Sequence, residues 1–213
     1  MRVGVVDYGV GNVGSVMNAV QQLKAIPVLI DRAINLKKID SIILPGVGSF
    51  SDCMALLTKG GWALALEDQV LGAATPLLGI CLGMQLLASS STEGAKNHAT
   101  DTVEGLNFIP GTVKHLNELG CQKLVPHIGW NEINISTPNS ILKGIPSGTD
   151  FYFVHSYAYE SELSSSVIAV TDHDLPIAAV INKDHIWGTQ FHPEKSSRAG
   201  LKLISNFIEA SAC

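Results

Sequence analysis

The sequence predicts an α/β fold: one domain over residues 1–213, with a largely parallel central sheet flanked by helices. In the first half, short apolar runs alternate with helical patterns, which is typical of parallel strands joined by helices. In the second half, strand-like runs follow one another without strong helical pattern, which favours additional antiparallel strands on the sheet. A chain of 213 residues is long enough for one full core and too short for two comfortable domains.

The elements of the first half follow from apolar spacing. Strands covered on both faces are apolar throughout rather than alternating, and several short runs have this character. Helical stretches are recognised by apolar residues that recur every three to four positions. In chain order we expect a strand at 2–7, a helix at 12–24, strands at 26–30 and 41–45, a helix at 62–71, a strand at 75–80 and a buried helix at 83–90.

The second half is predicted to consist mainly of strands between about residues 106 and 192. The runs "GTVKHL", "DFYFVHSYAY", "SVIAVTD", "IAAVIN" and "IWGTQF" each have the length and composition of a strand. An amphipathic helix, "RAGLKLISNFIEAS", closes the chain. The polar segment 89–102 between the two halves is predicted to be a surface loop.

Charge and cysteine usage exclude several classes of protein. The net charge of −5 is spread along the chain without a basic stripe, so no nucleic acid partner is expected. The cysteines stand far apart and form no metal-like spacing, which argues against a disulfide framework or a metal site. This usage fits a reducing, cytoplasmic compartment. The cysteines are Cys53, Cys81, Cys121 and Cys213.

One uncharged stretch, residues 69–92, is nearly long enough to cross a bilayer. Pro76 and three glycines interrupt it, and such residues break a continuous helix. We therefore expect a buried strand followed by a buried helix, and no membrane partner.

Cys81 lies in Gly79-Ile80-Cys81-Leu82-Gly83, the G-x-nucleophile-x-G pattern of a nucleophile elbow. In such an elbow a strand turns sharply into a helix, and a Cβ at either glycine would collide with the neighbouring elements. The free N–H groups at the helix start favour a thiolate and can bind an oxyanion. The alternative is ordinary core packing, since free cysteine is often buried.

A cysteine nucleophile needs a base, and His192 with Glu194 in "TQFHPEKS" is the best candidate. A carboxylate two residues on can orient the imidazole and stabilise its charged form. A turn histidine beside a solvated glutamate is the alternative. The loop Pro45-Gly46-Val47-Gly48 follows a strand and offers backbone N–H groups for an oxyanion, although glycine pairs are common in loops. His98, His115, His173 and His185 are predicted to be surface residues.

Together these motifs resemble the class I glutamine amidotransferases, and among them the glutaminase subunits of imidazole glycerol phosphate synthase. The similarity covers nearly the whole chain, so the resemblance implies the class I glutamine amidotransferase fold. The motifs "PHIGWN", "FVHSY" and "FHPEKS" are characteristic of that subunit. The others are "DYGVGNVGSV", "ILPGVGSF" and "PLLGICLGMQLL".

The resemblance implies hydrolysis of glutamine through a thioester, without metal or organic cofactor. Cys81 would be the nucleophile, His192 the general acid and base, and Glu194 the residue that orients His192. Oxyanion N–H groups would come from Leu82 and the Val47–Gly48 strand. The implied glutamine pocket comprises Gly48, Gln85, Glu93 and backbone groups at His155, Ser156 and Tyr157.

The resemblance also implies a partner, a (β/α)8 cyclase subunit that receives ammonia through a tunnel during histidine biosynthesis. The two chains would form a heterodimer. Asn12, Trp130 and Lys195 lie in matching motifs and are expected at the interface, although Trp130 fits the core equally well.

Two other functions remain open from the sequence. The segments 11–15 and 90–111 are less typical of the histidine-pathway subunit, and related glutaminases supply a sugar amidotransferase in surface polysaccharide synthesis. A non-catalytic binding module or a different cysteine hydrolase is the alternative of another class. The set of Cys81, His192 and Glu194 beside Gln85 argues against a binding module and against a different cysteine hydrolase.

Overall fold

The computed structural model describes residues 1–95 and 102–212; His98 and Cys213 lie outside these ranges. The described strands are β1 (Arg2–Val6), β2 (Ile26–Ile30), β3 (Ser41–Gly46), β4 (Leu77–Cys81), β5 (Ser90–Ser91), β6 (Val103–Glu104), β7 (Gly111–His115), β8 (His127–Ile135), β9 (Thr149–His155), β10 (Tyr157–Ser161), β11 (Val167–Asp172), β12 (Pro176–Lys183) and β13 (Ile186–Thr189). The described α-helices are α1 (Val13–Gln22), α2 (Phe50–Lys59), α3 (Trp62–Glu67), α4 (Leu82–Gln85) and α5 (Ser197–Ala210).

A nine-stranded mixed sheet forms the centre, in the order β2-β1-β3-β4-β13-β12-β11-β8-β9. The strands from β2 to β13 in this order are parallel to their neighbours. From β13 to β9 every neighbouring pair is antiparallel. The predicted fold class, a parallel sheet with antiparallel strands added by the second half, is confirmed.

The core lies on both faces of this sheet, which explains why its parallel strands are apolar throughout. Along β3, Ile42 and Leu44 pack on one face with α2 and α3. Ile43 between them packs on the other face with α1 and α5. Neighbouring residues of a strand point to opposite faces, so a strand covered on both sides needs apolar residues at every position.

The uncharged stretch 69–92 is divided among several elements. A π-helical turn at Asp68–Gly72 continues α3, then β4 enters the sheet and α4 follows directly. Within the two described ranges, no helix is long and apolar enough to cross a membrane.

The predicted buried helix at 83–90 is wrong in length, because α4 is a single turn at Leu82–Gln85. The carbonyl groups of Leu86 to Ser89 accept hydrogen bonds from the N–H groups of residues 105–109 instead. In a helix these carbonyls would bind N–H groups four residues further on. The loop at 105–109 therefore ends the helix by taking its acceptors.

The second-half strands β9 and β11 to β13 join the large sheet as predicted, but β7 and β10 do not. A separate four-stranded sheet has the order β10-β7-β5-β6. The run "DFYFVHSYAY" divides at Ser156: β9 pairs with β8 in the large sheet, and β10 pairs with β7 in the small one. The chain crosses between the sheets at this residue.

Four of the described helices and strands were not predicted: α2, β8 and the two-residue strands β5 and β6, of which β5 lies in the segment predicted to be a surface loop. Helix α2 has the usual start signal, since the Ser49 hydroxyl accepts a hydrogen bond from the Asp52 N–H at 3.3 Å. It also buries Phe50, Met54 and Leu57 at helical spacing. Strand β8 buries only His127 and Ile133, so it lacks the apolar run by which the other strands are recognised.

Candidate active site

Cys81 stands at a sharp turn between β4 and α4. Its φ of 54° and ψ of −113° are unusual for a residue with a side chain. The turn requires both flanking glycines: a Cβ at Gly79 would lie 2.6 Å from the Gly83 carbonyl oxygen, and a Cβ at Gly83 would overlap the Leu44 carbonyl. This is the strained geometry expected of a nucleophile elbow.

His192 and Glu194 lie beside this turn, at the end of the segment that follows β13. His192 Nδ1 is 2.9 Å from Glu194 Oε1, and both side chains are almost fully buried. The same carboxylate oxygen accepts a hydrogen bond from Asn12 Nδ2 at 3.1 Å. Glu194 thus orients the imidazole through Nδ1 and leaves Nε2 for another group.

The ionisation of His192 reflects these neighbours. Burial lowers its pKa, but hydrogen bonds to Cys81 and Glu194 and the charges of both outweigh burial and raise the pKa to about 9. The imidazole is therefore held in its charged form at neutral pH when the thiolate and carboxylate face it. An imidazolium beside a cysteine is the arrangement that stabilises a thiolate nucleophile.

The Cys81 thiol also contacts two neutral groups. Its Sγ lies 3.8 Å from the Val154 carbonyl oxygen and 3.9 Å from Gln190 Nε2. It is 7% exposed and borders a cavity, so its environment differs from that of a cysteine enclosed by apolar side chains.

A cavity of about 410 Å³ opens in front of Cys81, a volume suited to a small metabolite. Pro126, Val154 and Lys195 complete its wall. A larger cavity of about 810 Å³ lies against α2 and α3 but contains none of the motif residues. The cavity at Cys81 is also lined by Val47, Gly48, Leu82, Gln85, Glu93, His155, Ser156, Tyr157 and His192.

Gln85 forms part of the floor of this cavity, one helical turn after Cys81. Its Nε2 donates to the Tyr157 carbonyl at 2.8 Å and to Gln190 Oε1 at 3.0 Å. Both amide hydrogens are thereby used within the protein. The acceptor oxygen Oε1 is the group of Gln85 left for a ligand that donates a hydrogen bond.

Glu93 also lines this cavity. Burial raises the pKa of its carboxyl group, although a hydrogen bond from the Phe50 N–H, 2.8 Å from Oε2, opposes the shift. A half-buried carboxylate with this single backbone donor would be stabilised by a cationic ligand. The α-ammonium group of an amino acid fits that requirement.

Two backbone segments near Cys81 can offer N–H donors. The Leu82 N–H is in the first turn of α4 and so has no partner within the helix. Gly48 adopts a φ of +99° that favours glycine. The Val47 carbonyl accepts from the Cys53 thiol at 3.4 Å, and since the two ends of a trans peptide point in opposite directions, the Gly48 N–H points away from Cys53.

Three residues expected at an interface lie near one another around the active site. Trp130 is 55% exposed, which excludes the core position that the sequence left open. Its ring meets that of Tyr152 edge-on at 6.2 Å between centroids. Lys195 Nζ lies 5.9 Å from the centre of the same Tyr152 ring. Asn12 is half-buried and binds Glu194.

Sequence reasoning missed Gln190 and Tyr152. Gln190 accepts from Gln85 and reaches towards Cys81, and Tyr152 joins Trp130 to Lys195. Neither stands at a diagnostic spacing from a motif residue. Gln190 lies in the motif "TQFHPEKS", two residues before His192, which was the available signal.

The exposure of the thiols predicts selective alkylation. Cys53 and Cys121 are 1% and 3% exposed, whereas Cys81 borders the cavity beside His192. We expect iodoacetamide to modify Cys81 first and glutamine to protect it, as measured by peptide mass spectrometry. A Cys213→Ser background removes a thiol outside the described residues. Equal modification of Cys53, Cys81 and Cys121, unaffected by glutamine, would contradict the assigned site.

Comparison with known proteins identifies the family of the chain. Residues 5–210 match the family model "Glutamine amidotransferase class-I". The chain is 42% identical over 207 residues to "Imidazole glycerol phosphate synthase subunit HisH" of Moorella thermoacetica, covering 97% of this chain and 94% of that one. It is 40% identical to the protein of the same name from Leptospira borgpetersenii, covering 96% and 98%.

Solved structures share the fold at low sequence identity. The chain superposes on "Crystal structure of glutamine amidotransferase" with a TM-score of 0.74 at 19% identity, covering 99% of both chains. For "Structure of PurLQS from Thermotoga maritima" the TM-score is 0.73 at 17% identity, with 98% of both chains covered. The family match and the relatives near 40% identity together show that the chain belongs to the class I glutamine amidotransferases, among the HisH subunits of imidazole glycerol phosphate synthase.

Proposed function

We propose that the chain is the glutaminase subunit of an imidazole glycerol phosphate synthase, hydrolysing glutamine with Cys81 and passing ammonia to a synthase subunit. The observation that carries this proposal is that Cys81 and His192 line the same cavity as Glu93, with Glu194 bonded to the His192 imidazole. The HisH names of the relatives favour the histidine pathway over the polysaccharide pathway.

Glutamine binds with its α-ammonium group at Glu93 and its carboxamide at Cys81. The amide hydrogens of the substrate face the free Oε1 of Gln85 or the carbonyl groups of the wall at 154–157. The Cys81 thiolate attacks the carboxamide carbon, and the carbonyl oxygen becomes negatively charged. The Leu82 N–H and a peptide N–H of the Val47–Gly48 segment stabilise this charge; removing one such donor typically lowers turnover by roughly 10²- to 10³-fold.

His192 then transfers its proton to the departing nitrogen, and ammonia leaves with the bonding electron pair as the thioester forms. Water attacks the thioester while His192 accepts its proton. The tetrahedral intermediate expels the thiolate and leaves His192 as an imidazolium, and the new carboxylic acid loses its proton to solvent to give glutamate. Each step uses groups of the chain alone, so we propose no metal or organic cofactor.

Ammonia becomes unreactive as a nucleophile once it is protonated in water, so it must be transferred directly to the synthase site. We propose that a (β/α)8 cyclase subunit covers the face formed by Trp130, Tyr152 and Lys195 and receives ammonia there. The exposed Trp130 ring supports this, because aromatic side chains are enriched at interfaces. The free thiols Cys53, Cys81 and Cys121 suit the reducing cytoplasm, where we place the enzyme.

If glutamine hydrolysis depends on the partner, the isolated subunit should hydrolyse glutamine slowly. The Val47–Gly48 peptide can rotate about Gly48, exchanging the positions of its carbonyl and N–H groups, at the loss of one weak thiol hydrogen bond. We expect the ligand-loaded partner to stabilise the orientation with its N–H towards the oxyanion. Turnover should then rise by roughly 10²- to 10³-fold, mainly through kcat.

Glutamate release by the chain alone, with empty partner and with ligand-loaded partner, measures this effect. Asn12, Trp130 and Lys195 are the residues whose substitution should weaken the response. An equal kcat under the three conditions would reject the rotating peptide and leave the Cys81 chemistry unaffected.

A further inference from the structure

Two buried histidines next to the cavity have no part in the reaction described above. His127 begins β8 and His155 ends β9, and the two residues face each other in the register of these strands. They are 4% and 6% exposed. Because buried ring nitrogens need partners, the partners of these rings define their proton positions.

The hydrogen bonds along these rings run in one direction. His155 Nδ1 lies 2.9 Å from the Tyr157 carbonyl oxygen, which can only accept, so Nδ1 carries the proton. In the neutral ring His155 Nε2 is then an acceptor, and His127 Nδ1, 3.0 Å away, donates to it. His127 Nε2 in turn accepts from Asn131 Nδ2 at 3.1 Å.

Backbone groups determine the orientation of the Asn131 amide. Its Nδ2 also donates to the Asp172 carbonyl at 2.8 Å, and its Oδ1 accepts from the Glu132 N–H at 3.0 Å. An inverted amide would oppose acceptor to acceptor and donor to donor at these contacts. The direction of the whole series is therefore set by main-chain groups at both ends.

Both rings are kept neutral by their surroundings. Burial lowers the pKa of His127 to about 4, with smaller electrostatic contributions from His173 and Lys123. Burial outweighs the hydrogen bond to Tyr157 and lowers the pKa of His155 to about 3, with smaller contributions from His127, His173 and His192. A second proton on either ring would place a donor against a donor.

We propose that Asn131, His127 and His155 are positioning residues that hold one wall of the glutamine pocket. Their series of hydrogen bonds ends on the Tyr157 carbonyl, which also accepts from Gln85 Nε2 at 2.8 Å. It therefore fixes the segment 155–157, where the chain crosses between the two sheets, relative to Gln85. This inference rests on the proposed function, because it takes the cavity to be the glutamine pocket.

The proton positions give a test that needs no substrate. Long-range proton–nitrogen NMR of the chain labelled with nitrogen-15 histidine distinguishes the two neutral tautomers and the imidazolium. We expect His127 and His155 to be neutral Nδ1–H rings at neutral pH, with signals assigned from single variants. An Nε2–H tautomer or an imidazolium at either position would overturn the proposal.

A matched pair of variants tests the effect on the pocket. The His173 ring stacks on His127 at 4.3 Å between centroids, but it bonds to the Leu124 carbonyl and lies outside the series. His127→Phe and His173→Phe therefore each remove an imidazole from the same stack. Their reaction with a glutamine-shaped diazoketone that alkylates Cys81 can be separated into half-saturating concentration and maximal rate.

We expect His127→Phe to raise the half-saturating concentration roughly five- to tenfold, as for loss of one hydrogen bond, while His173→Phe leaves it unchanged. The maximal rate should change little in both. Equal half-saturating concentrations in wild type and His127→Phe would overturn the proposal.

If His127→Phe fails to fold in a thermal melt, Asn131→Leu at the half-buried outer end should show a smaller increase, and no increase would be equally decisive. Failure of the reagent to modify Cys81 in the wild type would instead reject the proposed function and leave the tautomers as a separate result.

Discussion

Replacing Cys81 with alanine will reduce glutamate release by at least roughly 10⁴-fold, because every covalent step of the proposed reaction passes through its sulfur. Loss of a nucleophile usually removes nearly all activity of a nucleophile–base pair, since the remaining groups cannot act without it. The cavity, His192 and Glu194 should remain in place, because the substitution removes one atom from a site that borders solvent-accessible space.

Cys121→Ala is the matched control for this variant. Cys121 is also a buried free thiol, but it belongs to a small separate cluster with Leu116, Ala158 and Ile177. Both variants should melt close to the wild-type temperature, and only Cys81→Ala should lose activity in the presence of loaded partner. Retained glutaminase activity in Cys81→Ala would exclude the thioester route.

Gly83→Ala will strongly destabilise the protein, lowering the free energy of unfolding by roughly 4 kcal/mol or more. The new Cβ would overlap the Leu44 carbonyl, which is main chain of β3 and cannot turn aside as a flexible side chain would. Relief requires α4 to move away from the sheet, and the backbone of Cys81 and Leu82 would move with it. Denaturant unfolding followed by circular dichroism gives the change in stability.

Gly14→Ala separates this effect from the general consequence of adding a methyl group. Gly14 lies in α1, and a Cβ there meets no atom within 4 Å. Alanine is the better helix former, so this variant should be stabilised by about 0.5–1 kcal/mol. Similar behaviour of the two variants would show that the elbow does not depend on close approach of α4 to β3.

The parts of the site that sequence predicts well are local. The elbow can be read from five consecutive residues, and the contact of His192 with Glu194 from a spacing of two, because adjacent backbone geometry brings these side chains together. The contact of Asn12 with Glu194 spans 182 positions, and only the packing of α1 beside the segment after β13 creates it. Likewise, the division of "DFYFVHSYAY" at Ser156 depends on which strands are available as partners, β8 for one part and β7 for the other.

The short α4 also could not be predicted from local sequence. Residues 83–90 carry a helical pattern, and local propensity alone would extend the helix. The N–H groups of residues 105–109 bind the carbonyl groups of Leu86 to Ser89 in place of helical N–H groups. The position of residues 105–109 depends on tertiary structure, which here overrides the local helical pattern of residues 83–90.

The position of β13 has a consequence for how the protein is made. This strand, Ile186–Thr189, inserts between β4 and β12 in the middle of the large sheet, although it is the last strand synthesised. A growing chain on the ribosome therefore carries the Cys81 elbow long before the strand beside it exists. The parallel half remains with an open edge at β4 until residue 189 has emerged, and His192 follows three residues later. Because so many pairings join distant parts of the chain, folding is expected to be slow and to finish only after most of the protein has been translated. Cys81 thus meets His192 only late in folding, and incomplete chains should not hydrolyse glutamine by the proposed route.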